Sequence, residues 1–272
     1  MSIATLHSRY LAILFVALLS ACAHVPQGVE LARAELAPLG KLRAAINFGN
    51  PILANRDSPT AEARGVSVDL AYELAKRLGV PLEMVLYTAA GKVVEGIKTQ
   101  SWDIGFFAID PVRAVDTDFS AAYVVIEGAY LVPEDSPIKD NAQVDREGVR
   151  VVVGRGSAYD LFLSREIKNA KLVRAPTSPA VSDMMVADKL EVAAGVKQQL
   201  EADAKRLGGV RLLPGRFMVI NQAMAVPKGR ANGAKYLAAF VEEMKASGFV
   251  AEALKRHGIE GAMVADAVGR YQ

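Results

Sequence analysis

The chain has few cysteine, histidine or tryptophan residues. Among 272 residues there are one cysteine, three histidines and one tryptophan. A single cysteine excludes an internal disulfide. The histidines stand at positions 7, 24 and 257, which is not a metal-ligand spacing. A Ser-His-Asp set in the interior would depend on His257. These absences predict no metal site and no cofactor, and they favour a binding protein over an enzyme.

An excess of one charge is also missing. The chain has 32 basic and 30 acidic residues, for a net charge of +2. Neither nucleic acid nor an anionic membrane surface is therefore predicted as a partner. No GxxxxGK[ST] phosphate loop occurs. Hydrophobic residues make up 51% of the chain and charged residues 23%, a composition typical of a soluble globular protein with one large or two modest domains.

No hydrophobic run in the chain is long enough to span a bilayer. The longest candidate, residues 11–19, follows Arg9 and has nine residues, whereas a transmembrane helix needs about 20. A basic residue, a short apolar core and small residues after it are typical of an export signal. We therefore predict that residues 1–21 are a signal peptide and that the protein is periplasmic.

The only cysteine directly follows the predicted signal peptide. The stretch Leu19-Ser20-Ala21-Cys22 resembles the bacterial lipobox, in which the cysteine is acylated and becomes the new N-terminus. Multiple acyl chains hold a protein at a membrane, whereas one chain alone is marginal. We predict lipidation of Cys22 and a membrane anchor and tether over residues 22–39. The alternative is a plain secretory signal cleaved near Ala23, which leaves a free protein.

The rest of the chain alternates predicted strands and helices. In the first part, strands are predicted at 41–47, 82–86 and 104–109, and helices at 69–78 and 92–98. In the second part, strands are predicted at 150–153, 172–173, 192–196, 210–213 and 218–226, and helices at 158–168, 178–185, 234–246 and 249–257. Trp102 is expected to be a packing anchor. The alternation predicts an α/β fold with parallel strands covered by helices.

The stretch at 110–123 carries the first candidate binding residue. Arg113 follows a predicted buried strand, which places it at the rim of the sheet, where open α/β folds bind ligands. Its guanidinium group stays charged and fits a carboxylate with two hydrogen bonds. The alternative is a surface arginine paired with Asp110, Asp116 or Asp118.

A glycine-rich turn carries the second candidate. Gly154-Arg155-Gly156-Ser157 joins a predicted strand to a helix, where free backbone N–H groups and the helix dipole favour an anion. Ser157 and Asp160 also form a capping-box-like pair, so the alternative is an ordinary helix N-cap. A dinucleotide site is disfavoured, because the GxGxxG pattern needs glycine where Tyr159 stands.

Three segments together resemble the extracellular solute-binding proteins of family 3, the amino-acid-type binding components of ABC importers. They are 65–70 (GVSVDL), Trp102-Asp103 with Arg113 and 119–123 (FSAAY), and 153–157 (VGRGS). The resemblance implies a two-lobed, type II periplasmic-binding-protein-like α/β fold, each lobe a mostly parallel sheet flanked by helices, with two hinge crossings. The first lobe is expected at 40–132 plus 224–272, and the second at 136–222.

The resemblance also implies the binding residues. Arg113 matches the arginine that holds the ligand α-carboxylate, and Ser157 matches the group of the second lobe on the same carboxylate. The full set of predicted ligand-binding residues is Phe48, Asn50, Ala108, Asp110, Arg113, Gly156 and Ser157.

The chain departs from the family pattern at two places. The acid that usually pairs with a ligand ammonium group is absent near Val196 and Lys197, and Asp110 stands where a hydroxyl is common. We therefore expect a small carboxylate-bearing or amine-bearing solute.

The predicted function is that of a non-enzymatic receptor for an ABC importer. Its expected partners are a small-molecule solute, the permease subunits and the membrane through a lipid anchor, and it is expected to be a monomer. One alternative is a periplasmic enzyme on the same fold, of the prephenate dehydratase type, with Asp110 or Glu127 as the general acid. Another is a sensory or scaffold lipoprotein.

Overall fold

The computed structural model describes residues 27–268. The predicted signal peptide, 1–21, and the predicted lipidation site, Cys22, lie outside the described residues. Within 27–268, no helix has both the length and the apolar character needed to cross a membrane.

Strands and helices alternate along most of the described chain. The helices are α1 (Gln27–Leu36), α2 (Val66–Leu78), α3 (Ala90–Lys98), α4 (Ala158–Glu166), α5 (Val181–Ala187), α6 (Lys197–Leu207), α7 (Ala231–Ala246) and α8 (Phe249–Arg256). The strands are β1 (Leu42–Asn47), β2 (Leu82–Tyr87), β3 (Ile104–Ala108), β4 (Thr117–Pro133), β5 (Arg150–Gly154), β6 (Lys171–Ala175), β7 (Val192–Val196), β8 (Val210–Leu212), β9 (Met218–Pro227) and β10 (Met263–Val264).

Within the described residues the strands form one sheet in the order β2-β1-β3-β9-β4-β7-β5-β6, with β8 and β10 paired to β4. Strands β1, β2 and β3 are parallel and form the first lobe, and β5, β6 and β7 are parallel and form the second. The long strands β4 and β9 run antiparallel to each other between the two lobes. This architecture confirms the predicted fold class.

Strand β4 changes partner in its middle. It pairs with β9 as far as Gly128, opposite Met218, and with β7 from Gly128, opposite Val196. A Cβ atom at Gly128 would lie 2.6 Å from Met218 Cγ, so a larger residue there would displace the Met218 side chain. The lobe boundaries expected near residues 132 and 224 stay a prediction.

Trp102 anchors the core of the first lobe, as predicted. Its side chain is fully buried, and its Nε1 donates a hydrogen bond to the carbonyl of Val93, at 2.8 Å. Its ring meets Phe107 edge to face at 6.0 Å. The satisfied indole N–H lets a large aromatic side chain be buried without an unpaired donor.

The prediction of a tether over 22–39 is wrong for residues 27–36, which form α1. Ala32 and Leu36 are buried, and the helix packs on α7. The Glu35 carboxylate accepts hydrogen bonds from Asn232 Nδ2 at 2.8 Å and from the backbone N–H of Gly233 at 2.7 Å. These contacts make the segment part of the fold.

Helix α6 was not predicted, because among its described positions only Leu200 and Asp203 are buried, and these do not make a visible apolar stripe. The first half of β4 was also missed. Its residues 117–123 were interpreted only as a family motif, and they pair with the end of β9.

Candidate functional site

A small cavity lies between the two lobes, at the carboxyl ends of β1, β3, β5 and β7. This edge is where open α/β sheets bind ligands. The residues that line it are Asn47, Gly49, Asn50, Ala90, Phe107, Ala108, Arg113, Ser157, Ala158, Tyr159, Ser178, Val196, Ile220 and Gln222. Four of the predicted binding residues are therefore brought together: Asn50, Ala108, Arg113 and Ser157.

The lobes are closed against each other in this structure. The cavity between them has a volume of about 30 Å³, which is enough for about two water molecules. The backbones of Gly91 and Gly156 meet so closely that a Cβ atom on Gly156 would lie 2.8 Å from Gly91 Cα. Small-molecule pockets commonly measure roughly 300–1,000 Å³, so this arrangement is tighter than a site that holds a solute.

Arg113 is a charged residue that lines the cavity. It begins the short 3₁₀ turn Arg113–Val115 after β3 and is 2% exposed. Its Nη1 donates to the carbonyl of Ala108 at 2.8 Å, and its Nη2 donates to the carbonyl of Gly156, on the other lobe, at 2.9 Å. Its Nε has no partner among the described residues. The guanidinium group therefore keeps one buried donor for another acceptor.

The electrostatics of Arg113 follow from its burial. Desolvation lowers its pKa to about 10, because water no longer stabilises the cation, although nearby Asp110 acts in the opposite direction. The side chain is still charged at neutral pH. The alternative of a surface ion pair is wrong, because Arg113 is buried and forms no ion pair among the described residues. Asp110 pairs instead with Arg165, and Asp118 pairs with Lys228.

The Gly154–Ser157 turn is an N-cap. Ser157 Oγ accepts a hydrogen bond from the backbone N–H of Asp160 at 3.0 Å. Asp160 Oδ2 accepts from the backbone N–H of Gly156 at 2.8 Å, and Asp160 also pairs with Arg174. The N–H of Ser157 donates to Gly154. The turn thus uses these N–H groups internally, and the Ser157 hydroxyl is the group that lines the cavity.

Three predicted residues lie outside the cavity lining: Phe48, Asp110 and Gly156. Asp110 accepts hydrogen bonds from Arg165, on the second lobe, at 2.9 Å and from the backbone N–H of Val112. Phe48 packs against the core, and Arg56 lies 4.8 Å from its ring centroid. The carbonyl of Gly156 accepts a hydrogen bond from Arg113, which does line the cavity.

Several lining residues were not predicted. Gln222 and Ser178 are polar groups at the cavity, and Gln222 is buried in β9, next to Asn221. Two amides within a mainly apolar strand are a signal that sequence reading could have used, because a buried amide needs a hydrogen-bond partner. In the sequence, Tyr159 serves only to disfavour a dinucleotide site. Burial raises its pKa to about 12, so it is a neutral hydroxyl at pH 7.

Glu127, one of the two candidate general acids of the enzyme alternative, is held as a carboxylate. Glu127 accepts hydrogen bonds from Arg216 at 2.7 Å and from Lys197 at 3.1 Å. These two cations lower the pKa of Glu127. Its carboxyl group therefore carries no proton to donate at neutral pH, which disfavours it as a general acid. Among residues 27–268, no cluster of three His, Cys, Asp or Glu side chains could hold a metal.

Comparison with protein-family models gives one match over most of the chain. The model of the bacterial extracellular solute-binding proteins, family 3, matches residues 44–260. No curated protein matches the chain.

Solved structures share the fold at low sequence identity. A binding component of an ABC transporter from Wolinella succinogenes, complexed with lysine, is 24% identical with a TM-score of 0.69 over 80% of this chain and 95% of that one. The L-cysteine solute receptor of Neisseria gonorrhoeae is 24% identical with a TM-score of 0.73 over 85% and 94%. An ancestral amino acid-binding protein, a precursor of cyclohexadienyl dehydratase, is 22% identical with a TM-score of 0.70 over 84% and 98%.

Proposed function

Because the chain belongs to the bacterial extracellular solute-binding proteins, family 3, we propose that it is the periplasmic receptor of an ABC importer. It binds a small carboxylate- or amine-bearing, amino-acid-like solute between its lobes and delivers it to the permease subunits. Lipidation at Cys22 anchors it to the membrane, and it acts as a monomer. The solved relatives named above as binding lysine, L-cysteine and amino acids support this class of solute.

The observation that carries the proposal is the buried Arg113 at the junction of the lobes. A charged guanidinium group without a carboxylate partner in the cavity is costly to bury. Here two carbonyls, of Ala108 and Gly156, accept from it, and its Nε is unpartnered among the described residues. A solute carboxylate would supply the missing acceptor and the missing counter-charge. Arginine fits a carboxylate with two parallel hydrogen bonds.

Uptake of the solute requires the lobes to separate, since the closed cavity has room for about two water molecules. Strands β4 and β9 join the lobes, so the opening motion is a hinge about these strands. In the open form Arg113 loses the Gly156 carbonyl, and the solute carboxylate gains access to the guanidinium group. Closure then places the Ser157 hydroxyl of the second lobe at the same group.

The test is ligand-induced thermal stabilisation. Purified protein is screened with amino acids, other small carboxylates and polyamines, and the melting temperature is measured. A ligand that binds only to the folded protein raises its stability by mass action, by about 2.7 kcal/mol when the free ligand concentration is 100 times Kd. We expect carboxylates to stabilise the wild type and Arg113→Met to lose this effect, because each charge-assisted hydrogen bond contributes about 1.5–3 kcal/mol.

The matched control is Arg206→Met. Arg206 is half-exposed on α6, pairs with Asp183 and Asp203, and does not line the cavity. We expect this variant to keep the full ligand response. Circular dichroism establishes that both variants are folded. An unchanged ligand response in a folded Arg113→Met protein would refute the assignment of Arg113 to the solute.

The dehydratase alternative has one observation in its favour, the shared fold with the dehydratase precursor. The ionised state of Glu127 and the ion pair of Asp110 with Arg165 weigh against both candidate acids. Incubation with prephenate-like substrates distinguishes the two functions. Formation of an aromatic product would support the enzyme, and its absence together with ligand binding would support the receptor.

A further inference from the structure

We infer that the site selects a small α-hydroxy acid over the α-amino acid of the same skeleton. This inference rests on the proposed function, because it assumes that Arg113 holds the solute carboxylate. Three observations support it: the charge of the cavity, two buried atoms without hydrogen-bond partners among the described residues, and the pairing of the surrounding acids with other cations.

The cavity carries a single charge. Of the described residues that line it, Arg113 alone is ionised at neutral pH. The remaining polar side chains are neutral amides and hydroxyls: Asn47, Asn50, Ser157, Tyr159, Ser178 and Gln222. A site of charge +1 is neutralised by a monoanion. A zwitterionic amino acid would bring its ammonium group as a second positive charge without a counter-charge.

The nearby acids are already paired with other cations. Asp110 is bound to Arg165, Asp160 to Arg174, and Glu127 to Lys197 and Arg216. Val196, at the end of β7, presents an apolar side chain to the cavity. The carbonyls of Ala108 and Gly156 accept from Arg113. These groups leave an ammonium group without a free anionic partner.

Two residues that line the cavity each have a buried side-chain atom without a hydrogen-bond partner among the described residues. These atoms are the donor Arg113 Nε and the acceptor Asn50 Oδ1. Arg113 is 2% exposed and Asn50 is 9% exposed. Asn50 follows β1, and the neighbouring Asn47 already accepts from Gly49, at 2.9 Å. Buried polar atoms require partners, so the solute supplies one acceptor and one donor.

An α-hydroxy acid satisfies both atoms without adding positive charge. Its carboxylate accepts from Arg113, and its hydroxyl donates to Asn50 Oδ1. An α-oxo acid has the same charge but no donor for Asn50. An α-amino acid has a donor, but the donor is a cation. The expected order of affinity is therefore hydroxy acid first, oxo acid second and amino acid last.

The experiment compares ligands that differ in one group. Calorimetry is carried out with the full mature chain and two matched series: lactate, pyruvate and alanine, and then leucine with its hydroxy and oxo analogues. We expect the hydroxy acid of a series to bind at least tenfold more tightly than the amino acid. Tighter binding of the amino acid, abolished in Arg113→Met, would overturn this inference and leave the proposed function standing. Binding of no carboxylate at all would overturn both.

A substitution of Asn50 tests whether the hydroxyl group of the solute donates to Asn50 Oδ1. In Asn50→Ala the hydroxy acid should lose its advantage over the oxo acid, so that the ratio of their dissociation constants approaches one. Asn141→Ala is the matched control, because Asn141 Oδ1 is also buried and unpartnered among the described residues but lies outside the cavity lining. Its ratio should equal that of the wild type. An unchanged ratio in a folded Asn50→Ala protein would contradict the assignment.

Discussion

At the scale of single residues, Arg113 and Glu127 are two charges held in different ways. Arg113 is buried with carbonyls as its acceptors and with its guanidinium carbon 5.6 Å from the Phe107 ring centroid, where the aromatic face attracts a cation. Glu127 is partly exposed between two cations, Lys197 and Arg216. Arg113 is thus available to bind a ligand, whereas Glu127 is placed to stabilise the fold.

Glu127 should make the stability depend on pH. Its pKa in the folded protein is lowered from 4.5 by Arg216 and Lys197. Its contribution is therefore present above about pH 4.5 and is lost as the pH falls through the lowered value. We expect Glu127→Gln to cost up to about 1 kcal/mol at pH 7, because partly exposed pairs contribute little. Thermal unfolding from pH 3 to pH 7 measures the difference between variant and wild type.

The control for this prediction is Glu95→Gln. Glu95 pairs with Lys92 on the exposed face of α3, with 70% of its side chain exposed, and its replacement should change the melting temperature little at any pH. A difference between Glu127→Gln and wild type that stayed constant down to pH 3 would contradict the ionic role of Glu127.

At the scale of elements, α1 is the segment whose role the structure changed most. The helix lies against α7 so closely that a Cβ atom on Gly233 would be 2.8 Å from Leu36 Cδ2. Leu36 is fully buried. A sequence of ten residues with two buried positions has little periodicity to read, and its helical state depends on the partner helix.

Leu36→Ala should therefore destabilise the protein. Removing a fully buried leucine side chain typically costs about 2–5 kcal/mol, from lost burial and the cavity that is left. Chemical denaturation with urea measures the change in the free energy of unfolding.

Leu39→Ala is the matched control, because Leu39 lies just beyond the helix and is 64% exposed. Its replacement should change the free energy of unfolding by less than about 0.5 kcal/mol. Equal and small effects of the two substitutions would show that α1 does not contribute to the fold in solution.

At the scale of the whole molecule, contacts between the lobes support the closed arrangement. Asp110 pairs with Arg165 across the junction at 2.9 Å, and Arg113 reaches the carbonyl of Gly156. Gly156 has a φ of +69° and lies against the backbone of Gly91. The absence of a Cβ atom on Gly156 permits this approach of two backbones.

Gly156→Ala should hold the lobes apart. The added methyl group would lie 2.8 Å from Gly91 Cα, a backbone atom of the other lobe. We expect a larger radius of gyration by small-angle X-ray scattering and a loss of about tenfold in ligand affinity, equivalent to roughly 1.4 kcal/mol.

Gly79→Ala separates this steric effect from backbone strain. Gly79 has a φ of +64° in the left-handed conformation, and no atom lies within 4 Å of a Cβ placed there. Both substitutions should cost about 1–2 kcal/mol of stability from the left-handed conformation. Only Gly156→Ala should change the radius of gyration. The same radius in both variants would contradict closure through this glycine pair.

The sequence by itself determined the elements with strong local patterns and pointed to one residue that lines the cavity. The alternation of β-strands with α2, α3 and α4 was visible because apolar residues recur at strand or helix spacing. The three family motifs identified Arg113 and the Ser157 turn. Local patterns and motifs can be read from the sequence because they depend on residues that are close together in the chain.

Only the tertiary structure decided what each charge does. The sequence placed Asp110 beside Arg113 in the site, whereas the fold brings Arg165, on α4, to Asp110 and leaves Arg113 against carbonyls. The lining residues Ser178, Val196 and Gln222 come from separate strands and turns. Which residues meet at the sheet edge depends on strand order, and strand order is a property of long-range pairing that local sequence does not contain.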